Sequence, residues 1–477
     1  MSLKQVHPQL HPRAFVAGLL FLFAASAAAQ ESLPATVIQA LRTAAIPLSS
    51  VGIAVQEVGS ARPQLSFNAT APFNPASTMK LVTTYAGLEL LGPAYRWKTE
   101  TFLGGPLREG ILDGDLFVRG QGDPKLTLEA FWLLLRDLRS RGVKDIRGDL
   151  VIDRSQFAAV EFDPSRFDGD PTRPYNVGPD ALLLNFKAIR FVFVPEPERR
   201  GVRVVAEPRV VDVASDLRLA DGPCGDWRER MKADFQSQGA PAKAAFSGTY
   251  SAACGEKDWH VAMLAPSAYA GGLFRLLWGE LGGSIVGATR EGIAPQGKPF
   301  ATLESASLAE VVRDINKYSN NVMARQLYLS IAADQAGVPA TAANAQRVIK
   351  AWLSKKGLEF PELVMENGSG LSRIERISAQ SLNALLLAAF RSPVMPELVA
   401  SLPLVAVDGT MRRRLKSESI AGHAHIKTGS LSDVRAMSGY VLDRNGRRHA
   451  VTMIVNHPNA QQSQAAQDAL LNWVYTR

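Results

Sequence analysis

The spacing of apolar residues in the first part of the chain predicts a strand followed by an amphipathic helix. A strand-like run covers residues 51–58. After Ser77 the apolar side chains recur at helical spacing, at Met79, Val82, Ala86 and Leu90. Gly92-Pro93 comes next and is typical of a helix end. The pattern therefore predicts a helix that begins near Ser77 and ends before Gly92.

The middle of the chain, residues 97–299, has a different character. Short β-favouring runs, such as 191–194 and 202–206, stand between clusters of Pro, Gly and Asp. One helix is predicted late in this stretch, over residues 269–281. The pattern indicates a β-rich insertion made of two smaller units.

Helical periodicity returns at Ser307, which forms an S-x-x-E capping box with Glu310. The helical run extends to Ala332 and is interrupted by the polar residues Ser319-Asn320-Asn321. Strands are predicted over 424–429, 434–443 and 447–456, with Asn445-Gly446 as a hairpin turn, and a helix over 461–475. Antiparallel strands followed by a packing helix predict an α/β fold (α+β by convention), with a sheet covered by helices.

Residues 1–29 have the pattern of a secretory signal peptide. Lys4 and Arg13 precede an apolar run over 14–25, and an A-x-A site ends at Ala29. The run is shorter than the roughly 20 residues that span a bilayer. We therefore expect cleavage after Ala29 and export to the periplasm, with an uncleaved membrane anchor as the alternative.

Composition narrows the class of protein. The 477 residues are 46% hydrophobic and 21% charged, which excludes a disordered polymer. The net charge is +8, but the basic residues are scattered, so we expect no nucleic-acid partner. Peripheral contact with a membrane stays open, and the sequence does not set the oligomeric state.

The chain has two cysteines, Cys224 and Cys254. In an oxidising compartment two cysteines with no third competitor predict one disulfide. Closing a loop of this size contributes about 3–4 kcal/mol to the free energy of unfolding in the chain-entropy model.

Three short motifs carry the candidate chemistry. In the first motif Ser77 and Lys80 lie one helical turn apart on one face, and the helix start offers backbone N–H groups to an oxyanion. The second motif interrupts a helix, and in the third motif Gly429 lets a substrate lie close to the backbone. In chain order the motifs are Ser77-Thr78-Met79-Lys80, Ser319-Asn320-Asn321 and Lys427-Thr428-Gly429. Together they are typical of penicillin-recognising serine acyl-transferases.

With these motifs the chain resembles the low-molecular-mass class C penicillin-binding proteins. These are the D-alanyl-D-alanine carboxypeptidase/endopeptidases of bacterial peptidoglycan. The resemblance extends over nearly the whole mature chain, with Asn367 where relatives often have Asp. Further matching motifs are Gly120-Gln121-Gly122-Asp123-Pro124, Gly368-Ser369-Gly370-Leu371-Ser372-Arg373, Leu402-Pro403-Leu404 and Asp408-Gly409-Thr410.

The resemblance also implies the domain organisation. More than two hundred residues separate Ser77 from Ser319, as in the class C carboxypeptidases and unlike the compact β-lactamases. The implied β-lactamase/transpeptidase-like catalytic domain is discontinuous, over residues 30–96 and 300–477. Two β-rich domains are inserted, domain II over 97–189 and 263–299 and domain III over 190–262.

A serine hydroxyl needs a base within hydrogen-bond reach, and the sequence fixes only Lys80 near Ser77. We therefore predict Ser77 as nucleophile and Lys80 as general base. Burial and a neighbouring cation, for which Lys427 is the candidate, would lower the pKa of Lys80. The resemblance implies that Ser319 relays a proton to the leaving D-alanine and that Asn321 holds the substrate amide.

Lys427 and Thr428 are predicted to bind the terminal carboxylate of the substrate, a role suited to a cation beside a hydroxyl. The resemblance adds the backbone N–H groups of Ser77 and Ser430 as the oxyanion hole. It also implies that Arg373 contacts a substrate carboxylate, with a surface ion pair as the alternative.

Some polar residues outside the motifs have weaker interpretations. Asp153 and Asp180 are candidates for recognising a free amino group of the peptide stem. His423 and His425 share one face of a strand, but no third ligand is evident, so no metal site is predicted.

The predicted function is therefore that of a serine D-Ala-D-Ala carboxypeptidase that is also a D,D-endopeptidase. It would act on peptidoglycan stem peptides, bind β-lactams covalently and need no metal or cofactor. The alternatives are a β-lactamase or esterase of the same superfamily and a non-catalytic peptidoglycan-binding scaffold.

Overall fold

The computed structural model describes residues 1–4, 33–237 and 242–477 of the chain. The fold is α+β, as predicted, with several sheets and helices between and around them. The predicted signal peptide, residues 1–29, lies outside the described residues except for residues 1–4. In the described part of the chain, no helix combines the length and the apolar character that crossing a membrane needs.

The α-helices of the described residues are concentrated in the second half of the chain. In chain order they are α1 (Ala35–Thr43), α2 (Lys80–Leu90), α3 (Leu128–Ser140), α4 (Pro266–Glu280), α5 (Leu308–Tyr318), α6 (Asn321–Ala336), α7 (Ala342–Lys355), α8 (Ala379–Phe390), α9 (Met395–Ser401) and α10 (Gln464–Tyr475).

The strands fall mainly in the middle of the chain. In chain order they are β1 (Val51–Glu57), β2 (Leu65–Phe67), β3 (Lys98–Leu103), β4 (Leu107–Arg108), β5 (Ile111–Leu112), β6 (Leu116–Gly120), β7 (Asp145–Ile146), β8 (Leu150–Asp153), β9 (Ile189–Glu196), β10 (Gly201–Glu207), β11 (Asp212–Ala220), β12 (Met231–Gln236), β13 (Lys243–Ser251), β14 (Lys257–Val261), β15 (Ser284–Ile285), β16 (Thr289–Glu291), β17 (Ala301–Glu304), β18 (Ala424–Leu431), β19 (Val434–Leu442) and β20 (Arg448–Asn456).

One five-stranded sheet joins the two ends of the chain. Its strand order is β18-β19-β20-β1-β2, and β1 pairs antiparallel with β20, with Ile53 opposite Met453. Because side chains alternate along a strand, the two faces of this sheet are buried separately. One face shares a core with α1 and α10, and the other shares a core with α2 and α5–α9, with α8 lying against β1, β19 and β20.

The inserted strands form three further sheets. Their orders are β16-β8-β6-β3-β17, β15-β7-β5-β4 and β12-β13-β11-β10-β9-β14. Apolar side chains of α3 and α4 share one core with these sheets. The inserted part also contacts the helical core through Phe157 and Ala181.

The sheet pairing moves one predicted boundary. Residue 300 was the predicted return to the domain formed by the chain ends, yet β17 pairs antiparallel with β3, with Ala301 opposite Thr101. The inserted sheets therefore continue to Glu304.

The structure confirms the predicted disulfide between Cys224 and Cys254. The two Cα atoms are 4.7 Å apart, and the bridge ties the segment before β12 to the 3-10 turn that follows β13. It therefore lies within the six-stranded sheet region.

The ends of the helices follow the local sequence. Ser307 Oγ accepts a hydrogen bond from Glu310 N, and the Glu310 carboxylate accepts from Ser307 N, so the predicted capping box opens α5. The predicted start of the helix at Ser77 is different in the structure. Residues Ala76–Met79 form a 3-10 turn, and the α-helix begins at Lys80.

Candidate active site

Ser77 and Lys80 meet at the junction between the 3-10 turn and α2. Lys80 Nζ lies 2.9 Å from Ser77 Oγ, as their spacing of three residues along a tight helical turn requires. Lys80 is fully buried, whereas Ser77 is partly exposed. Ala76, just before the serine, has a φ of +45° and is itself buried. The chain therefore turns sharply at this point and presents the serine hydroxyl at a surface.

Lys80 Nζ donates two further hydrogen bonds, to Asn321 Oδ1 at 2.6 Å and to Ser369 O at 2.5 Å. A lysine ammonium has three N–H donors, and all three have acceptors here. After Lys80 loses one proton, Asn321 Oδ1 and Ser369 O would hold its two remaining N–H groups. The lone pair of the neutral amine would then point at Ser77 Oγ, which is the geometry that a general base needs.

The second motif lies where α5 ends and α6 begins. Ser319 has a φ of +57° and ends α5, while Asn320 caps α6 by accepting a hydrogen bond from Met323 N at 3.0 Å. This break turns two side chains toward Lys80 and β18. Ser319 Oγ accepts a hydrogen bond from Lys427 Nζ at 2.8 Å, and Asn321 binds Lys80 as described above.

The third motif lies on β18, whose backbone runs against the turn that holds the serine. A Cβ atom on Gly429 would lie 2.7 Å from Pro75 O and 3.0 Å from Ser77 N, so a larger residue would displace the turn. Thr428 Oγ1 donates to Thr410 Oγ1 at 2.8 Å. Ser430 is exposed and donates to Gln461 Oε1 at 3.0 Å.

The pKa values of both lysines are lowered. Burial lowers the pKa of Lys427 to about 7. Burial, followed by the positive charges of Lys427 and Arg325, lowers the pKa of Lys80 well below its usual value, and the Glu375 carboxylate opposes this. Because a buried cation is costly beside other cations, a neutral Lys80 is favoured.

The loop 366–370 packs against the turn that holds Ser77. Gly368 and Gly370 have φ values of +69° and +81°, and a Cβ atom on Gly370 would lie 1.9 Å from Ala76 O. Thr83 Oγ1 donates to Gly368 O at 2.7 Å, and Lys80 donates to the next carbonyl, Ser369 O. Two successive carbonyl groups of the loop therefore bind α2.

An ion pair between the buried Lys317 and the partly exposed Asp408 supports the Asp408-Gly409-Thr410 motif. Lys317 Nζ donates to both Asp408 carboxylate oxygens, at 2.9 and 2.7 Å, and to Leu402 O at 2.7 Å. Gly409 has a φ of +55°, and a Cβ atom there would lie 2.6 Å from Lys317 O. These contacts place Thr410 beside Thr428.

Arg373 lies at the rim of the site. Its guanidinium donates to Asp433 Oδ1 at 2.9 Å and to Ser432 Oγ at 3.3 Å, and it stands 4.7 Å from the centre of the Phe167 ring. The alternative interpretation, a surface ion pair, therefore describes its contacts in this structure. Beside it lies a cleft of about 330 Å³, whose lining includes Phe162, Phe167, Arg325, Tyr328, Leu371 and Arg373.

The two carboxylates proposed to recognise a free amino group have structural partners instead. Asp153 is buried and accepts from Ser155 N at 3.0 Å and from Ala294 N at 2.9 Å. Asp180 is buried and pairs with Arg154 at 2.5 Å. Both groups hold the inserted region together, so neither faces a substrate.

Among the described residues, no group of three or more His, Cys, Asp or Glu side chains is placed to hold a metal ion. His423 is exposed, and its Nδ1 atom contacts Ala421 O at 2.9 Å. His425 is partly buried, and burial lowers the pKa of its imidazole.

Sequence reasoning did not identify the roles of three residues at this site, Ser369, Thr410 and Glu375. The first two stand in motifs matched to the family, but their contacts to Lys80 and Thr428 depend on the folded loops. Glu375 gave no signal beyond its place two residues after the Gly368–Arg373 motif.

A model of the D-Ala-D-Ala carboxypeptidase 3 (S13) family matches residues 33–476. The D-alanyl-D-alanine carboxypeptidase DacB of Haemophilus influenzae is 26% identical over 424 residues, covering 86% of this chain and 85% of the relative. The D-alanyl-D-alanine carboxypeptidase of Actinomadura sp. (strain R39) is 28% identical over 440 residues, covering 88% of this chain and 80% of the relative.

Solved structures share the fold. The crystal structure of penicillin binding protein 4 (dacB) from Haemophilus influenzae superposes with a TM-score of 0.79 at 23% identity, covering 92% of this chain and 99% of that chain. A penicillin G acylated predatory endopeptidase from Bdellovibrio bacteriovorus, solved with its immunity protein, has a TM-score of 0.51 at 17% identity. This match covers 89% of this chain and 91% of that chain.

Proposed function

The chain belongs to the D-Ala-D-Ala carboxypeptidase 3 (S13) family, and we propose that its acyl-enzyme forms on Ser77. The protein is a serine D-Ala-D-Ala carboxypeptidase. The observation that carries the assignment of the nucleophile is the contact of 2.9 Å between Ser77 Oγ and the buried Lys80 Nζ.

In the proposed acylation step, neutral Lys80 takes the proton of Ser77 while Ser77 Oγ attacks the carbonyl carbon of the penultimate D-alanine. The lowered pKa of Lys80 raises the fraction of neutral amine above that of an ordinary lysine. The carbonyl π electrons move to the oxygen, which becomes the oxyanion. We assign the backbone N–H groups of Ser77 and Ser430 to this oxyanion, because β18 runs directly against the turn of Ser77.

Collapse of this intermediate breaks the C–N bond, and the proton that Lys80 accepted from Ser77 passes through a relay to the leaving D-alanine nitrogen, so Lys80 is neutral again. Ser319 is the proposed relay, since its hydroxyl lies 2.8 Å from Lys427 Nζ on one side of the site. Water then attacks the ester on Ser77, with Lys80 as base, and releases the shortened peptide. Asn321 is assigned two roles, which are to bind Lys80 and to hold the substrate amide.

Substrate binding is assigned to β18 and to the rim of the site. Lys427 and Thr428 would bind the terminal carboxylate, and Gly429 leaves room for the peptide backbone. A bound carboxylate would raise the pKa of Lys427 and keep it cationic. Arg373 would release Asp433 and bind a substrate carboxylate instead, at the mouth of the cleft.

We extend the proposal to cross-link cleavage and to covalent binding of β-lactams. Both activities use the same acylation step, because a D-alanyl cross-link and a β-lactam each present an amide carbonyl to the serine. The name of the Bdellovibrio relative, an endopeptidase acylated by penicillin G, is in keeping with both.

The proposed domains follow the sheets. The catalytic domain would comprise residues 30–97 and 305–477, and the inserted domains residues 98–304. Within the insertion, domain III corresponds to the six-stranded sheet of β9–β14. We also propose export to the periplasm after removal of residues 1–29.

The proposed activity can be tested by incubating the mature protein with a stem pentapeptide that ends in D-Ala-D-Ala and with a cross-linked muropeptide dimer. We expect release of one D-alanine from the first and cleavage of the second. Ser77→Ala should abolish both, and Ser60→Ala, at an exposed turn, should change neither. Full release by folded Ser77→Ala would overturn the assignment of the nucleophile.

A further inference from the structure

A buried carboxylate stands behind the loop that binds Lys80. Glu375 is fully buried, and its Oε1 atom accepts hydrogen bonds from three successive backbone amides, Glu366 N, Asn367 N and Gly368 N, at 3.0, 3.0 and 3.1 Å. Successive amides that converge on one oxygen form an anion-binding nest. Here the anion is a side chain of the protein itself.

The same loop presents its carbonyl groups in the other direction, toward α2. Gly368 O accepts from Thr83 and Ser369 O accepts from Lys80 Nζ. These two carbonyls come directly after the last amide that Glu375 binds, and the amide between them, Ser369 N, donates to Asn367 Oδ1 at 2.9 Å. Glu375 therefore fixes the backbone from which the Ser369 carbonyl reaches Lys80.

From this geometry we propose that Glu375 is a positioning residue for acylation. It would gather the amides of residues 366–368 and so hold the Ser369 carbonyl against Lys80, which leaves the lone pair of the neutral lysine directed at Ser77. The proposal rests on the proposed function of Ser77 and Lys80. It adds a residue that does not touch the substrate.

Charge supports the same role. Lys80 faces Lys427 from β18, Arg325 from α6 and Glu375 from the segment that follows the loop, and the carboxylate opposes the lowering of the Lys80 pKa. Glu375 in turn faces Lys80, with Arg325 and Tyr328 of α6 also near it. Its Oε2 atom is buried without a hydrogen-bond partner in the described part of the chain. Burial raises the pKa of the Glu375 carboxyl, whereas the three amides and Lys80 lower it, so the groups that it would hold are also those that favour its anionic form.

Two substitutions separate the effect of Glu375 on the loop amides from the effect of its charge on Lys80. Glu375→Gln keeps a carbonyl oxygen for the three amides but removes the negative charge. Glu375→Leu has similar volume and removes the acceptor as well. As a matched control, Glu362 also accepts from a backbone amide and a hydroxyl, Ser378 N at 3.0 Å and Ser381 Oγ at 2.6 Å, at the start of α8. Glu362→Leu therefore disturbs a similar contact elsewhere.

The measurement is the second-order rate constant for acylation by a penicillin, from pH 5 to 9, with the unfolding temperature of each variant. For Glu375→Gln we expect a plateau close to wild type and an acid limb moved to lower pH, because loss of the anion favours neutral Lys80. For Glu375→Leu we expect a plateau lower by about 100-fold, the effect of a misplaced catalytic group. Glu362→Leu should acylate at the wild-type rate.

The inference is overturned if folded Glu375→Leu is acylated at the wild-type rate, or if Glu362→Leu loses as much. If Glu375→Leu does not fold, the profile of Glu375→Gln decides, and a plateau lowered by about 100-fold contradicts the proposal, because this variant keeps the acceptor for the three amides. Failure of wild-type protein to form any adduct would instead reject the proposed function. The two failures are therefore distinguishable.

Discussion

The chemistry of this site depends on how two buried lysines are surrounded. Lys80 has oxygen acceptors for each of its donors, and Lys427 binds Ser319 Oγ and Thr428 O. Both are fully buried, so the pKa of each amine is lowered. The proposed roles differ because Lys80 contacts the nucleophile, whereas Lys427 lies next to the place assigned to the substrate carboxylate.

The pH dependence of binding tests the role of Lys427. Because burial lowers its pKa to about 7, the cationic fraction in the free protein falls as the pH rises above that value. In a Ser77→Ala background, we expect affinity for a peptide ending in D-Ala-D-Ala to fall by up to about tenfold per pH unit above pH 7. Isothermal titration from pH 6 to 9 measures this.

The control for this titration is the further change Lys427→Gln, for which we expect weak binding that does not depend on pH. Equal affinity at pH 6 and pH 9 in the Ser77→Ala protein would contradict the assignment of Lys427.

At the residue scale the sequence predicted the side chains of the site better than its backbone groups. Ser77 and Lys80 were paired by their spacing alone, and the structure places them in contact. The Ser369 carbonyl and Glu375 were not predicted, because every residue has a carbonyl and a lone Glu has no motif. Asp153 and Asp180 show the opposite error, since a carboxylate in sequence does not reveal whether backbone amides already bind it.

At the scale of elements, the site is where a tight turn meets a strand. The 3-10 turn Ala76–Met79 presents Ser77, and β18 passes against it at Gly429. The strand supplies Lys427 and Thr428 at adjacent positions, so one buried and one partly exposed group flank the place assigned to the substrate. The acylation reaction therefore depends on the relative position of the turn and β18.

Gly429→Ala tests this contact. The added Cβ atom would lie 2.7 Å from Pro75 O and 3.0 Å from Ser77 N, both backbone atoms, so the turn or the strand must move. We expect the acylation rate constant to fall by about 100-fold. Stopped-flow measurement with a chromogenic β-lactam provides the rate.

Gly279→Ala is the matched control, because a Cβ atom on this α4 glycine meets nothing within 4 Å. It should leave acylation unchanged and raise the free energy of unfolding by about 0.5–1 kcal/mol. Wild-type acylation by Gly429→Ala would show that the close approach is unimportant.

Periodicity predicted most elements but not how they begin or pair. The capping box at Ser307 and the break at Ser319 could be predicted because they depend on local hydrogen bonds. The 3-10 turn before α2 could not be predicted, since a 3-10 helix and an α-helix share the same pattern of apolar residues. The pairing of β17 with β3 is a contact distant in sequence, so the apolar pattern did not reveal that residues 301–304 join the inserted sheet.

At the scale of the whole molecule, the catalytic side chains and the disulfide lie in different regions, although Phe162 and Phe167 of the insertion line the cleft beside Arg373. The first sheet and the helices around it hold Ser77, Ser319 and Lys427, while the six-stranded sheet region holds the disulfide. The two regions have largely separate cores. The matched motifs implied a division of this kind, but sequence alone could not show which strands pair in the inserted sheets.

Removal of the disulfide tests this separation. We expect Cys224→Ser with Cys254→Ser to lower the free energy of unfolding of the inserted sheet region by about 3–4 kcal/mol, because the unfolded loop gains freedom. Calorimetry should show an earlier transition, while the acylation rate of the folded protein stays at the wild-type value. A parallel loss of acylation at temperatures below that transition would contradict the separation.

The central claim is that Ser77, activated by Lys80, forms the acyl-enzyme. The most direct measurement is the intact mass of the mature protein after incubation with a penicillin, with peptide mapping of the adduct over time. The account predicts a long-lived adduct on Ser77 that is absent in Ser77→Ala. Rapid loss of the adduct with drug hydrolysis would indicate a β-lactamase, and no adduct on the folded protein would contradict the claim.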